Sequence, residues 1–220
     1  MHANDHPYIT RCPRAASGLS GHCFDEQGKV LLNVRRPKPF FNNIVARKTG
    51  WFYLLGYEST AYKFGGEVWH SEPAPEVCEE ACIVAYKALE STGFEPTEEF
   101  RFTSVLVQVY GEDGEDGSIA WHSDDEDSIL RLLSPDDEME VSPIVSVSFG
   151  ATCKFSIRPT MPEHKARRLG GARRRTTNVT LEDGDALVMH QGMQERYEHC
   201  IKKKDIDAGI RISFTFRAQQ

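Results

Sequence analysis

What most limits the possible folds is the texture of the chain after Pro96, where short runs rich in Val, Ile, Thr and Phe are broken by clusters of Gly, Asp and Pro. Such runs are too short for helices and carry the branched and aromatic residues that pack well on a pleated surface, so each reads as a strand. They cover 102–110, 119–122, 144–149, 154–157, 178–181, 186–189, 197–200 and 211–217. Many short strands at this spacing imply a sandwich or jelly roll. Before them, residues 73–89 place Val77, Ala81, Val84, Ala85 and Leu89 at helical intervals, with Pro75 and Glu76 suited to the first turn and Gly93 just past the end. That is the pattern of an amphipathic supporting helix. Residues 1–50 are polar and lack a clear period, so they read as an irregular arm with one strand at 30–34, and residues 51–220 as a single domain.

Composition narrows the class. A chain of 220 residues can bury a real core without disulfide staples, and its 27% charged and 40% hydrophobic content is that of a globular protein. No window approaches the roughly 18 uncharged apolar residues of a membrane span, so the expectation is a soluble intracellular protein, cytoplasmic or nuclear, with no membrane partner. Six cysteines stand without a C-x-x-C pair or regular spacing, which fits reduced thiols better than a disulfide framework or zinc finger. A net charge of -7 argues against a surface that clings to nucleic acid all over. Positive charge is instead concentrated locally, in 158–175, which includes Arg173, Arg174 and Arg175, and in Lys202, Lys203 and Lys204. Alone, such runs read as solvated loops.

Two patterns carry chemistry. In His122-Ser123-Asp124, residues i and i+2 of an extended chain point the same way, so His122 and Asp124 can converge on one ion. The triplet by itself is common. His199, on a later candidate strand, could complete the two-histidine, one-carboxylate face that non-haem Fe(II) oxygenases use, or could simply fill the core. The second pattern is the last strand, where alternation sends Ile212, Phe214 and Phe216 to one face and Arg211, Ser213, Thr215 and Arg217 to the other. If that polar wall is interior, its guanidinium groups need partners, and a dicarboxylate ligand would supply them through paired hydrogen bonds. If it is exterior, it is the solvent side of an edge strand.

Taken in order, His122-x-Asp124, the segment from Ser142 to Ala151, Leu181-x-x-Gly184-Asp185-Ala186-Leu187-Val188-Met189, His199 and Arg211-x-Ser213-x-Thr215-x-Arg217 closely resemble the AlkB family of Fe(II)- and 2-oxoglutarate-dependent dioxygenases. The resemblance runs from about Tyr62 to Arg217, and Leu106-Val107-Gln108-Val109-Tyr110 with HSDDED also looks like the AlkB-type domains of plant RNA virus replication proteins. It implies an α+β fold, a double-stranded β-helix (jelly roll) with a supporting helix and an N-terminal nucleotide-recognition extension. It further implies His122, Asp124 and His199 as iron ligands, Arg211 as anchor of the distal carboxylate of 2-oxoglutarate, and Tyr110, Arg217 and Thr215 around it. Gln108 stands where many members have asparagine. Tyr62-Lys63-Phe64-Gly65-Gly66 resembles the family's nucleotide-recognition segment, so Tyr62 and Phe64 would meet the base, Phe64 sandwiching it against His122 while Asp125 or Glu126 binds its edge. Ordinary packing is the competing reading for both aromatic residues.

The implied activity is oxidative demethylation of bases such as 1-methyladenine and 3-methylcytosine in RNA or DNA. With dioxygen as second cosubstrate, the methyl group is hydroxylated and lost as formaldehyde, and 2-oxoglutarate leaves as succinate and carbon dioxide. The partner would be single-stranded or flipped-out methylated nucleic acid, bound by a monomer, with Asp125, Glu126 and Asp127 favouring a cationic base and Arg173, Arg174 and Arg175 holding phosphate. Two rivals stay open: a dioxygenase of the same fold acting on a protein or small molecule, and a non-catalytic jelly-roll binding module.

Overall fold

The computed structural model describes residues 6–27, 29–34, 47–59, 61–64, 67–111, 117–160 and 175–220, without the side chains of 62–64, 67, 203 and 204. In chain order the strands are β1 (Ile9–Cys12), β2 (Lys48–Tyr53), β3 (Ala61–Phe64), β4 (Glu67–His70) and β5 (Glu72–Pro73), followed by helix α1 (Glu76–Glu90). Then come β6 (Ser104–Tyr110), β7 (Ile119–His122), β8 (Arg131–Leu133), β9 (Met139–Val141), β10 (Ile144–Gly150), β11 (Cys153–Pro159), β12 (Thr177–Leu181) and β13 (Ala186–Met189). A single turn of helix, α2 (Met193–Arg196), leads into β14 (Tyr197–Ile206), and β15 (Arg211–Arg217) closes the fold. A seven-stranded sheet in the order β1-β13-β10-β15-β6-β2-β5 and a four-stranded sheet in the order β12-β11-β14-β7 form the jelly roll, with hairpins β3-β4 and β8-β9 outside them.

Alternation on the central strands decides where the core and the cavity lie. Val105, Val107 and Val109 of β6, Val145 and Val147 of β10, and Ile212, Phe214 and Phe216 of β15 pack with α1 in one apolar cluster. The helix meets them with Val77, Cys78, Ala81, Cys82, Ala85, Ala88 and Leu89, a stripe of mostly small side chains that allows close approach to the sheet. Glu76 and Glu79 in the first turn and Lys87 in the last suit the helix dipole, and the Ser91 and Thr92 hydroxyls donate to the carbonyls of Ala88 and Leu89 at the end. The opposite faces of the same strands look toward the smaller sheet. There a second cluster, including Ile144, Phe155, Ile157, Val179, Leu187, Met189 and Ile201, fills one end of the space between the sheets.

The helix and every strand expected after Pro96 form, with 102–110 starting at Ser104 and 197–200 extending to Ile206. Residues 1–50 differ from the expected irregular arm at both ends. β1 pairs along β13, with Ile9 buried and the Arg11 guanidinium held by Asp185 at 2.7 Å. β2 pairs along β6, and four successive residues, Thr49 to Phe52, are buried because it is covered on both faces, which erases the alternation that would have revealed it. The strand expected at 30–34 does not form. Val30 makes only an isolated bridge to Phe24, because the Asp25 carboxylate accepts the Gln27 and Lys29 amides and turns the chain back on itself. All six cysteines are free thiols and five are buried. Among the described residues no helix is long and apolar enough to cross a membrane.

Candidate active site

Between the two sheets lies a cavity of about 430 Å³. Its wall on the large sheet is the polar face of the central strands: Gln108 and Tyr110 from β6, Ser146 from β10, and Arg211, Ser213, Thr215 and Arg217 from β15. The whole of β15 is buried, so its arginines are interior rather than on a solvent face. The small sheet supplies His122 from β7, Phe155 from β11 and His199 from β14. The register puts His122 directly opposite His199, and their rings come within 4.2 Å between centroids.

Asp124 follows on the loop after β7. Its backbone N–H donates to the Gln194 side chain on α2 at 3.0 Å, which turns the carboxylate into the cavity. One ligand atom each from His122, Asp124 and His199 fall within 4.8 Å of one another. The separations are 3.6 Å from His122 Nε2 to Asp124 Oδ1 and 3.9 Å from His199 Nε2 to Asp124 Oδ2.

Asp124 and His199 are in the protonation states a metal requires. Burial would raise the Asp124 carboxyl, but the Arg217 guanidinium, donating to Oδ1 at 2.8 Å, and then the two imidazoles hold it at about 2. Burial first, and His122 second, push the His199 imidazole down to about 3, so it is neutral with a lone pair to offer. His122 Nδ1 lies 2.9 Å from the Ala120 carbonyl, which fixes the proton there and leaves Nε2 as the donor atom. Two imidazoles and a carboxylate with open space in front are the donor set of a non-haem iron site, and the residues fit that ion.

The far end of the wall fits an anion. Arg211 is 1% exposed, its Nη2 donates to Ser148 Oγ at 3.0 Å, and its Nε and Nη1 have no hydrogen-bond partner among the described residues. A buried guanidinium with two unsatisfied donor groups calls for a carboxylate. Its carbon sits 5.0 Å from the Tyr110 ring centroid, and Tyr110 donates its hydroxyl to Gln108 Oε1 at 2.7 Å. Thr215 is buried in the same wall. Arg217 is turned toward the metal end, with Nη2 on Asp124 and Nη1 3.5 Å from Glu126.

The residues expected to meet substrate are less concentrated. Glu126 lines the cavity, while Asp125 and Asp127 are exposed. Tyr62 and Phe64 lie on β3, Tyr62 opposite Trp69, but their side chains, with Gly65 and Gly66, are outside the description. Trp69 packs with Trp51 and Leu106, and Leu106 reaches the cavity, so the hairpin is pinned to the site wall. Arg173 and Arg174 lie outside the described residues, and Arg175 is exposed. Arg158 stacks over Trp121 at 3.9 Å and pairs with Glu198, and Lys202 is 4.0 Å from Asp205. Sequence reasoning missed Gln194, Ser148 and Arg47, which lines the cavity from just before β2. For Ser146 and Ser148 a signal existed, two hydroxyls at i and i+2 in a strand otherwise apolar; for Arg47 there was none.

Residues 21–217 match the sequence model described as the 2OG-Fe(II) oxygenase superfamily, a match that begins well before Tyr62. The chain is similar to alpha-ketoglutarate-dependent dioxygenase alkB homolog 3 of Bos taurus, 28% identical over 172 residues that make up 78% of this chain and 51% of that protein. To the homologue from Rattus norvegicus it is 27% identical over 89% of this chain and 56% of that one. To that from Homo sapiens it is 32% identical over 53% and 36%. The chain thus spans about half the length, or less, of these relatives. A solved structure described as "The structure of OsALKBH1" superposes with a TM-score of 0.60 over 97% of this chain and 98% of that chain, at 14% identity, a likeness of fold.

Proposed function

The chain belongs to the 2OG-Fe(II) oxygenase superfamily, whose members use Fe(II), 2-oxoglutarate and dioxygen, and from that membership we propose that it demethylates N-methylated nucleobases in RNA or DNA. The observation that carries the reading is one cavity holding a two-histidine, one-carboxylate group at one end and, at the other, the buried Arg211 guanidinium, whose Nε and Nη1 have no hydrogen-bond partner among the described residues.

In this reading His122, Asp124 and His199 hold iron(II), which when bound activates dioxygen against a substrate C–H bond as 2-oxoglutarate is decarboxylated. The protein's own part is placement. Arg217 keeps Asp124 ionised and fixed, burial keeps His199 neutral, and Arg211 takes the distal carboxylate of the cosubstrate with Tyr110, Gln108 and Thr215 around it. Hydroxylation of the methyl group consumes one oxygen atom of dioxygen, the other enters succinate, and carbon dioxide leaves. The hydroxymethyl adduct on the base then breaks its C–N bond to release formaldehyde. Glu126 and the exposed Asp125 beside the metal end favour a base made cationic by ring methylation. The β3-β4 hairpin, pinned by Trp69, supports an aromatic role for Tyr62 or Phe64 above the base, and Arg173, Arg174 and Arg175 are assigned to phosphate, which would fit a strand bound from outside the cavity. The similarity to alkB homolog 3 proteins supports a nucleic-acid substrate over a protein one.

The test is incubation with Fe(II), ascorbate and 2-oxoglutarate against single-stranded RNA and DNA oligonucleotides carrying 1-methyladenine or 3-methylcytosine, read by mass spectrometry. Loss of the methyl group with formaldehyde and succinate release is expected. Unchanged oligonucleotides alongside oxidation of a protein or small molecule would replace this reading with a hydroxylase of the same fold.

A further inference from the structure

Arg47 stands just before β2 in a stretch without motif, yet its side chain lines the same cavity as Tyr110 and Arg211. The sheet register explains how it arrives there. Thr49 is opposite Gln108 and Lys48 opposite Val109, so the next position back falls beside Tyr110, which is itself opposite Arg211 on the other side. Residues directly opposed in antiparallel strands share a face. Arg47, one residue before β2, therefore continues the rung that Tyr110 and Arg211 make across β6 and β15, and both arginines line the cavity with the tyrosine ring. Arg47 Nη1 donates to the Ser118 carbonyl at 3.3 Å, on the approach to β7, so the side chain reaches from the large sheet toward the small one at this end of the cavity. The neighbouring Gly117 is pressed against the ring, with no room for a Cβ between it and Tyr110.

We propose that Arg47 is a second cation of the cosubstrate end, which with Arg211 selects and retains a dianionic 2-oxo acid. The inference rests on Arg211 being the anchor of the distal carboxylate. Arg211 already commits Nη2 to Ser148, and at the metal end the Asp124 charge is matched by Arg217. The extra negative charge that distinguishes a dicarboxylate from a simple 2-oxo acid thus meets two guanidinium groups in the same cavity, one buried and one nearer the opening. A half-exposed cation acts on a ligand mainly through its charge, so its contribution is smaller than that of Arg211 and depends on the ligand being a dianion.

The experiment is anaerobic calorimetry on the Mn(II)-loaded protein with 2-oxoglutarate and with 2-oxopentanoate, which has the same carbon chain and lacks the distal carboxylate. Arg47→Gln is expected to weaken 2-oxoglutarate binding about tenfold and leave 2-oxopentanoate unchanged, with Arg47→Lys restoring most of the loss. Arg211→Ala serves as the reference and is expected to lose far more. Equal weakening of both ligands in Arg47→Gln would make Arg47 a structural tie and overturn the proposal. Unchanged 2-oxoglutarate binding in Arg47→Gln with loss in Arg211→Ala would overturn it while leaving the cosubstrate site standing. Unchanged binding in both variants would remove the site and the proposal together.

Discussion

Asp124 divides its two oxygens between two tasks, Oδ1 accepting from Arg217 and Oδ2 facing His199. Asp124→Ala therefore deletes a proposed metal ligand and takes from the buried Arg217 guanidinium the carboxylate it meets at 2.8 Å. It is expected to abolish turnover and the charge-transfer band of an anaerobic titration with Fe(II) and 2-oxoglutarate, and wild-type turnover would take Asp124 out of the site. Arg211→Ala is expected to raise the 2-oxoglutarate concentration for half-saturation by a hundredfold or more, since losing one partner of a buried charged pair costs roughly 3–5 kcal/mol and every 1.4 kcal/mol is about tenfold. A half-saturation that stays put would exclude it. Both groups were legible because period-2 spacing is a local property: His122 with Asp124, and Arg211 with Ser213, Thr215 and Arg217, share a face wherever the strand sits. What Arg217 touches was not legible, because its contact with Asp124 spans 93 positions of the chain and depends on two sheets meeting. Arg47 was hidden for a different reason, lying beside a strand whose own pattern is masked by burial on both faces.

Single elements show the same division. Helix α1 announced itself because one apolar stripe on a polar background has a period visible within its own 15 residues. The β3-β4 hairpin did not, since the deep attachment found among the described residues, Trp69 against Trp51 and Leu106, comes from elements distant in sequence. Trp69→Ala is expected to cost about 3–5 kcal/mol of hairpin docking. Hydrogen exchange should accelerate across 61–70 while Mn(II) binding at the metal end stays intact; unaltered exchange there would show that the hairpin is held by something else. At the opposite edge, β1 is fastened to β13 partly by Thr10 Oγ1 and His190 Nε2 at 2.9 Å. Burial pushes the His190 imidazole below its usual value of 6.5, as it does His6 nearby. Well above pH 6.5 the ring is neutral in both folded and unfolded chains and titration contributes nothing. Below it the unfolded chain takes up a proton that the folded one resists, so stability is lost as pH falls. The thermal midpoint is expected to drop between about pH 7.5 and about pH 5.5, and His190→Gln to drop less steeply; identical slopes would clear His190 of the effect.

For the whole molecule, the jelly roll itself was readable from the succession of short strands after Pro96, while membership of β1 and β2 in the large sheet was not, because nothing local distinguishes the edge strand β1 from an extended arm, and β2, buried on both faces, shows no alternation. The place of β15 has a consequence for how the protein comes into being. It occupies the middle of the seven-stranded sheet, paired on one side with β10 and on the other with β6, yet it is synthesised after both. While a ribosome is still making β14, β6 and β10 each expose an unpaired edge facing a gap, with Val107 and Val147 waiting for Phe214. Such edges are templates for pairing with other chains, and closing them demands contacts of long sequence separation, which form slowly. Nascent chains halted before Arg211 are therefore expected to be protease-sensitive and prone to aggregate, and the compact, resistant form to emerge only after Arg217 has cleared the exit tunnel. Pulse proteolysis of stalled chains of increasing length would locate that step, and resistance gained before β15 is complete would contradict it.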